Sequence, residues 1–258
     1  MGTVYIEWEH LIAIWSNHQH RIRLEDGTFY YGSLAQPSES LTVAVVTEWD
    51  TIPLARDDVV GITPVETSFW SRMDGSLSLG FNYTQATDIG QLAFTYKNSY
   101  QAYRNYVELN WKLNFTGQQE QDISRYQDFS LTYERETGRR RWFVAGSLGF
   151  EQNDELGIAL RIPATVGVGK RIIQTNHVVW PALLGLSVNA EKATSSDSVT
   201  INLEGVVNTS FQFFRYDSPK SDITTNLSLF PSISNLGRVR LNFDITLRHE
   251  LISDFFLD

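Results

Sequence analysis

From about residue 70 onward, apolar and polar residues alternate along a series of short stretches. Between Tyr106 and Phe115, Val107, Leu109, Trp111, Leu113 and Phe115 alternate with Glu108, Asn110, Lys112 and Asn114. Side chains of a β-strand point alternately to its two faces, so this stretch has one apolar and one wet face. Val239, Leu241, Phe243, Ile245 and Leu247 against Arg240, Asn242, Asp244, Thr246 and Arg248 repeat the pattern with charges of both signs. The alternation predicts strands over 76–83, 91–97, 106–115, 128–135, 142–151, 156–171, 178–190, 199–214, 223–230 and 239–248, with an incomplete eleventh over 254–258. Several reach about ten residues or more, the length a tilted strand needs to cross a bilayer, whereas sandwich strands run to about half that. Many strands in series without helices between them must close or stack, because open edges invite aggregation.

Residues 1–66 have another character. Short strands are expected over 4–8, 21–25, 29–34, 41–48, 51–54 and 59–64. Glu25-Asp26-Gly27 reads as a hairpin turn, since Asp-Gly supplies the positive φ angles such a turn demands. The expected fold class is therefore all-β: a small SH3-like or Sm-like barrel over 1–66, then an antiparallel up-and-down transmembrane β-barrel of about twelve strands over 67–258. Its last strand is incomplete at Phe256-Leu257-Asp258, and ten strands with a tail is the alternative. Longer polar loops over 116–122 and 191–197 fall on the side away from the small domain, and the tight turns at Thr137-Gly138 and Asp217-Ser218-Pro219 fall beside it.

Alternation alone does not say which face is inside. A solvent-facing row is normally rich in Lys, Glu and Thr, but here it carries Ser76, Ser78, Gly80, Ala145, Ser147, Gly149, Gly157, Ala159, Thr165, Gly167 and Gly169. Small residues suit a crowded lumen better than an open surface. Trp70, Tyr83, Tyr96, Tyr133, Trp142, Trp180 and Phe213 fall close to expected strand ends, as two aromatic girdles at membrane interfaces require. Both signals favour apolar side chains facing lipid and polar ones facing the axis. The competing reading is a soluble β-rich protein, its apolar row turned inward around a lipid or another ligand.

The run FWSRMDGSLSLGFNYT beginning at Phe69, with Glu155-Leu-Gly-Ile-Ala-Leu-Arg161 and Val168-Gly-Lys-Arg171, resembles an uncharacterised family of Gram-negative outer-membrane proteins sometimes labelled salt-stress-induced. The resemblance covers about residues 65–258 and implies an outer-membrane barrel of unknown activity, with the small N-terminal domain in the periplasm. It brings no catalytic motif with it.

Composition narrows the chemistry. A net charge of -9 with no Lys/Arg-rich run speaks against a nucleic-acid partner. The one basic cluster, Arg139-Arg140-Arg141, reads as a turn with solvated charges. Without cysteine there is no disulfide framework, thiolate metal site or cysteine nucleophile. Mean hydropathy of -0.23 resembles that of soluble chains, which carries little weight, because a membrane barrel hides its polar half in the lumen. The start, MGTVYIEWEH, is not a secretory signal, so export would require that one has been removed.

His18-Gln19-His20 has metal-compatible spacing but reads as a solvated loop, and Gly167-Val-Gly-Lys170 lacks the Walker spacing and the helix of a phosphate loop. No catalytic residue, metal ligand or cofactor is expected. An outer-membrane hydrolase is the third reading; His177 and His249 are its candidates, with Asp254 five residues beyond His249 and no nucleophile marked out. Glu108, Lys112, Glu134, Arg161, Glu204, Arg240, Asp244 and Arg248 are the candidate pore-lining residues, because all fall in the polar row. Enclosed charges must pair or meet water, so they form either a salt-bridged plug or a narrow passage for small polar solutes or ions. The partners expected are outer-membrane lipid and an envelope protein docking on residues 1–66. Trp8, Trp15, Tyr30, Tyr31 and Trp49 are the exposed candidates there, although most of them are expected to form the domain's own core.

Overall fold

The computed structural model describes residues 11–37, 39, 42–65, 68–86, 88–118, 123–137, 140–215, 219–252 and 255–257. Among these the chain is almost entirely strand, in two antiparallel sheets.

The first sheet holds β1 (Ser16–Leu24), β2 (Phe29–Ala35), β3 (Thr42–Val46), β4 (Thr51–Ala55) and β5 (Val59–Pro64), in the order β4-β3-β2-β1-β5. The fifth strand returns to pair with the first, after a single 3-10 turn at Arg56–Asp58. Alternate residues from all five strands form one core of Ile22, Leu34, Val43, Val45, Leu54 and Val59. The strand expected over 4–8 lies outside the described residues. Gly27 takes φ +83° in the β1–β2 turn, where Asp26 accepts hydrogen bonds from the Thr28 amide (2.8 Å) and hydroxyl (2.9 Å).

The second sheet is a plain meander of eleven strands: β6 (Met73–Thr84), β7 (Ile89–Ala102), β8 (Asn105–Gln118), β9 (Ser124–Glu136), β10 (Trp142–Asn153), β11 (Ile158–Gln174), β12 (Val178–Ala193), β13 (Val199–Arg215), β14 (Ser221–Pro231), β15 (Val239–Ile252) and β16 (Phe255–Leu257). Each pairs only with its neighbours, so sheet order is chain order. Every strand expected from the alternation is present, most of them longer at one or both ends. The polar loops are shorter for that reason: Thr116–Gln118 and Glu191–Ala193 continue β8 and β12.

About twelve strands were expected, and eleven are present among the described residues. No ladder joins β6 to β15 or β16, and β16 pairs with β15 only from His249 to Ile252. β6 and the upper part of β15 are therefore edges, and both are exposed on both faces.

Cross-strand register carries the two faces unbroken through the sheet. Tyr106 lies opposite Glu134, Glu134 opposite Ala145, Ala145 opposite Gly167, Gly167 opposite Gly185 and Gly185 opposite Val206. The other face continues from Leu109 to Leu131 and Leu148, and again from Val166 to Leu186 and from Val168 to Leu184 and Val207. β12 shows the outcome most clearly: Leu184, Leu186 and Val188 are exposed, at 66% for Leu184, whereas Ser187 and Asn189 are buried, at 1% for Ser187. The apolar row faces out and the polar row faces in, the reverse of a water-soluble sheet. On β11 the outward row from Ile162 to Ile172 spans ten steps of about 3.4 Å, or roughly 26 Å along a barrel axis at a 40° tilt.

Small residues on the inner face allow this curvature. Any Cβ on Gly185 would collide with the Val166 carbonyl oxygen, and one on Gly169 would collide with the Phe143 ring that lies over it. The stretch Gly167-Val-Gly-Lys170 is thus ordinary strand.

Candidate functional site

The inner face of the second sheet is concave, and its charges are bridged. At the end away from the first sheet, Arg161 on β11 donates from Nη1 to Glu151 Oε2 on β10 (2.8 Å) and from Nε to Glu191 Oε2 on β12 (3.0 Å). Arg240 on β15 reaches over β14 to Glu204 on β13, and its guanidinium lies 4.0 Å from the centre of the Phe230 ring. Thr165, Ser187, Asn189 and Asn202 complete a polar layer, with a 3.0 Å hydrogen bond from the Thr165 hydroxyl to Ser187 Oγ. Burying so many polar groups costs stability unless they are satisfied: Arg161, Glu151 and Glu191 satisfy one another, as do Thr165 and Ser187, whereas Asn189 Oδ1 and Arg240 Nε have no hydrogen-bond partner.

Below it lies a cavity of about 460 Å³ whose lining combines Phe143, Leu183, Val206 and Phe230 with Glu134, Arg171 and Asn208. Residues from six successive strands, β9 to β14, line it, which shows how far the sheet curls.

At the other end the first sheet sits against the second. Arg23 on β1 pairs with Glu136 on β9, Arg21 Nη1 approaches the same carboxylate at 3.8 Å and Arg171 Nη1 at 3.5 Å. Arg21 also donates to the Tyr103 carbonyl oxygen, and Arg171 pairs with Glu134. Burial pushes the Arg23 guanidinium down from its ordinary value to about 10; Glu136 works against this, and the neighbouring cations Arg171 and Arg21 reinforce it. Burial likewise raises the Tyr31 phenol, whose ring lies 5.5 Å from that of Tyr103 on the second sheet.

The basic turn, where Arg140 is exposed as expected, is also a docking contact. Arg140 pairs with Asp26 at 2.9 Å, and Arg141 donates from Nε to the Glu25 carbonyl oxygen (2.9 Å). The two turns meet so closely that a Cβ on Gly27 would come within 2.8 Å of the Arg141 amide nitrogen. Arg139 lies outside the described residues.

All eight charged residues taken from the sequence share the inner face by register, but their surroundings differ. Glu204 is buried beneath Arg240; Arg161 and Glu134 are half-buried in ion pairs; Glu108 is half-buried and accepts hydrogen bonds from the Tyr106 hydroxyl (2.5 Å) and Asn110 Nδ2 (2.6 Å). Lys112, Asp244 and Arg248 are exposed, because β8 lies close to the β6 edge and β15 is itself an edge. Glu151 and Glu191 in the Arg161 cluster, and Arg171 and Glu136 in the cluster at the other end, were not singled out from the sequence as pore-lining. The signal was present, since each sits in the polar row, but their partners are one or two strands away.

Of the aromatics expected at strand ends, Trp70, Tyr133, Trp142, Trp180 and Phe213 lie at the end beside the first sheet and Tyr83 at the opposite end, whereas Tyr96 is in mid-strand. In the first sheet Tyr30 packs on the core, but Trp15 and Trp49 do not join it: both are exposed, Trp49 at 92%. Trp8 lies outside the described residues. His18 and His20 belong to strand β1 rather than a loop, and no group of three His, Asp or Glu converges to hold a metal among the described residues. His249 Nδ1 is hydrogen-bonded to Ser221 Oγ at 2.8 Å, and His177 Nδ1 to the Phe214 carbonyl oxygen at 3.2 Å. No carboxylate pairs with His249 to complete the Ser221–His249 pair among the described residues, and Asp254 lies outside them.

The sequence model of one family matches residues 74–258, from the second residue of β6 through the whole second sheet. The chain belongs to DUF481, a family of proteins of unknown function. The DUF481 match takes in the segments of the outer-membrane resemblance from Asp74 onward and includes every residue of the charge-bridged inner face, whereas residues 1–73, Phe69 to Met73 among them, lie outside it. The family description carries no salt-stress designation. No curated protein and no solved structure matches this DUF481 chain.

Proposed function

We propose that this DUF481 protein is a non-enzymatic outer-membrane β-barrel, its lumen a narrow, charge-bridged passage for small polar solutes or ions. The small domain lies on the periplasmic side against the barrel mouth and docks an envelope partner. The inversion along β12 carries the reading: leucine and valine turned outward, serine and asparagine sealed inside. In water this arrangement exposes a belt of hydrocarbon and buries polar groups at a cost; in a bilayer both faces are satisfied.

The width of the lumen follows from strand number. Eleven or twelve strands are fewer than the roughly 16 to 18 of wide porins, and the ion pairs of Arg161 with Glu151 and Glu191 and of Arg240 with Glu204 crowd the inner face from β10 to β15. A bilayer tolerates no open sheet edge, so β6 and the part of β15 that β16 leaves unpaired must both be paired there. The return of the fifth strand to the first, after a 3-10 turn, supports an SH3-type small domain, with Trp15 and Trp49 as its exposed docking side chains.

Planar-bilayer recording of the refolded protein tests the passage. The expected result is small single-channel steps whose ion selectivity changes in Arg161→Gln; silence from protein shown to be folded would leave a purely structural role.

A further inference from the structure

A second cavity, of about 340 Å³, lies between the two sheets. Its walls are Arg21, Arg23, Val60, Gly61 and Thr63 of the small domain, and Gln101, Arg104, Asn105, Tyr106, Glu134, Glu136 and Arg171 of the second sheet. Four guanidinium groups thus face two carboxylates. Glu136 is engaged through Oε1 by Arg23 and Arg171, with its Oε2 left without a hydrogen-bond partner, and Glu134 is engaged by Arg171. Arg104 has no ion-pair partner among the described residues, and Arg21 touches Glu136 only at 3.8 Å while giving one N–H to the Tyr103 carbonyl. The nearest further acid on β8, Glu108, is occupied by Tyr106 and Asn110. A protein of net charge -9 that concentrates unbalanced arginines in a cavity has built an exception to its own surface.

We propose that this cavity binds a small soluble solute through its oxyanion, a phosphate or carboxylate group gripped by Arg21, Arg104 and Arg171, with Gln101 and Asn105 as further donors. Arginine is suited to the task, because its planar fork meets two oxygens of an oxyanion at once. Position adds a consequence. Arg171 and Glu134 line both this cavity and the 460 Å³ cavity of the inner face, so a bound oxyanion competes with Glu134 for Arg171 at the point where the two spaces meet. The inference goes beyond the passage reading and does not need it, since binding can be read from protein that conducts nothing.

The test uses the full chain folded in uncharged detergent, titrated with inorganic phosphate at constant ionic strength and followed by calorimetry and by Tm. The expected result is saturable binding that Arg104→Gln weakens about tenfold or more, the loss of one charged hydrogen-bonding partner. Arg104→Lys should keep part of the affinity, and Lys192→Gln, at the far end, should leave it unchanged. No saturable binding of phosphate would overturn the proposal, as would equal affinity in wild type and Arg104→Gln. Stabilisation by anionic lipid vesicles, with none by inorganic phosphate, would overturn the assignment to a soluble solute.

Discussion

Arg240 on β15 spans β14 to place its Nη2 2.9 Å from Oε2 of Glu204 on β13, and the Glu204 side chain is 1% exposed. A buried carboxylate in an apolar-backed sheet survives because this one guanidinium neutralises it. Glu204→Gln leaves Arg240 without its counter-ion and should destabilise the fold by about 2–3 kcal/mol, near the lower end for a broken buried pair because Arg240 is partly exposed. The double variant Glu204→Leu with Arg240→Met should cost less than the sum of its single changes. Urea midpoints of protein refolded into vesicles give both numbers.

Leu184 stands on the outward face of β12, opposite Val168 and Val207. Leu184→Arg therefore sets a cation against hydrocarbon and should cost about 2–4 kcal/mol near mid-bilayer. The same change on a water-facing sheet would be close to neutral, so the urea midpoint in vesicles separates the two orientations.

Two inner-face glycines should respond differently to alanine. At Gly185 the obstacle is the Val166 backbone carbonyl, which can move only with the strand, so Gly185→Ala should cost about 1–3 kcal/mol. At Gly169 the obstacle is the Phe143 ring, which can turn aside into the cavity it lines, so Gly169→Ala should cost less. Equal losses in a denaturation series would contradict this account of the curvature.

The turn joining the two sheets should be acid-resistant at Asp26. The Thr28 hydroxyl above all, with the Thr28 amide and Arg140, holds its carboxyl below the ordinary 3.8, and burial opposes them. A lowered carboxylate value means that its contribution is complete above about pH 4 and is lost only as pH falls through the lowered value. NMR titration of the Asp26 carboxyl should therefore show a midpoint below 3.8, moving up toward it in Thr28→Ala.

The second sheet was legible because period-two alternation is a local signal: every stretch such as 106–115 or 239–248 declares its strand without reference to any other. The start of β1 was not, since Ser16-Asn17-His18-Gln19-His20 has no apolar alternation and is held in strand by its partners on β2 and β5. Arg140 and Arg141 looked solvated because a charged turn normally is; only the facing Glu25-Asp26-Gly27 turn, more than a hundred residues away, makes them a contact. Arg171, Glu136, Glu151 and Glu191 escaped for a related reason. Alternation assigns a residue to a face but not to a partner, and these pairs depend on register between strands.

The orientation of the two faces is tested most directly by accessibility along β12. The chain has no cysteine, so single cysteines at 183, 184 and 186–189, leaving Gly185 in place, can each carry a spin label in protein refolded into vesicles. Collision with oxygen dissolved in the lipid should peak at 184, 186 and 188 and fall at 183, 187 and 189. High lipid exposure at 187 and 189 with shielding at 184 and 186, or no alternation at all, would contradict a barrel that turns its hydrocarbon to the membrane.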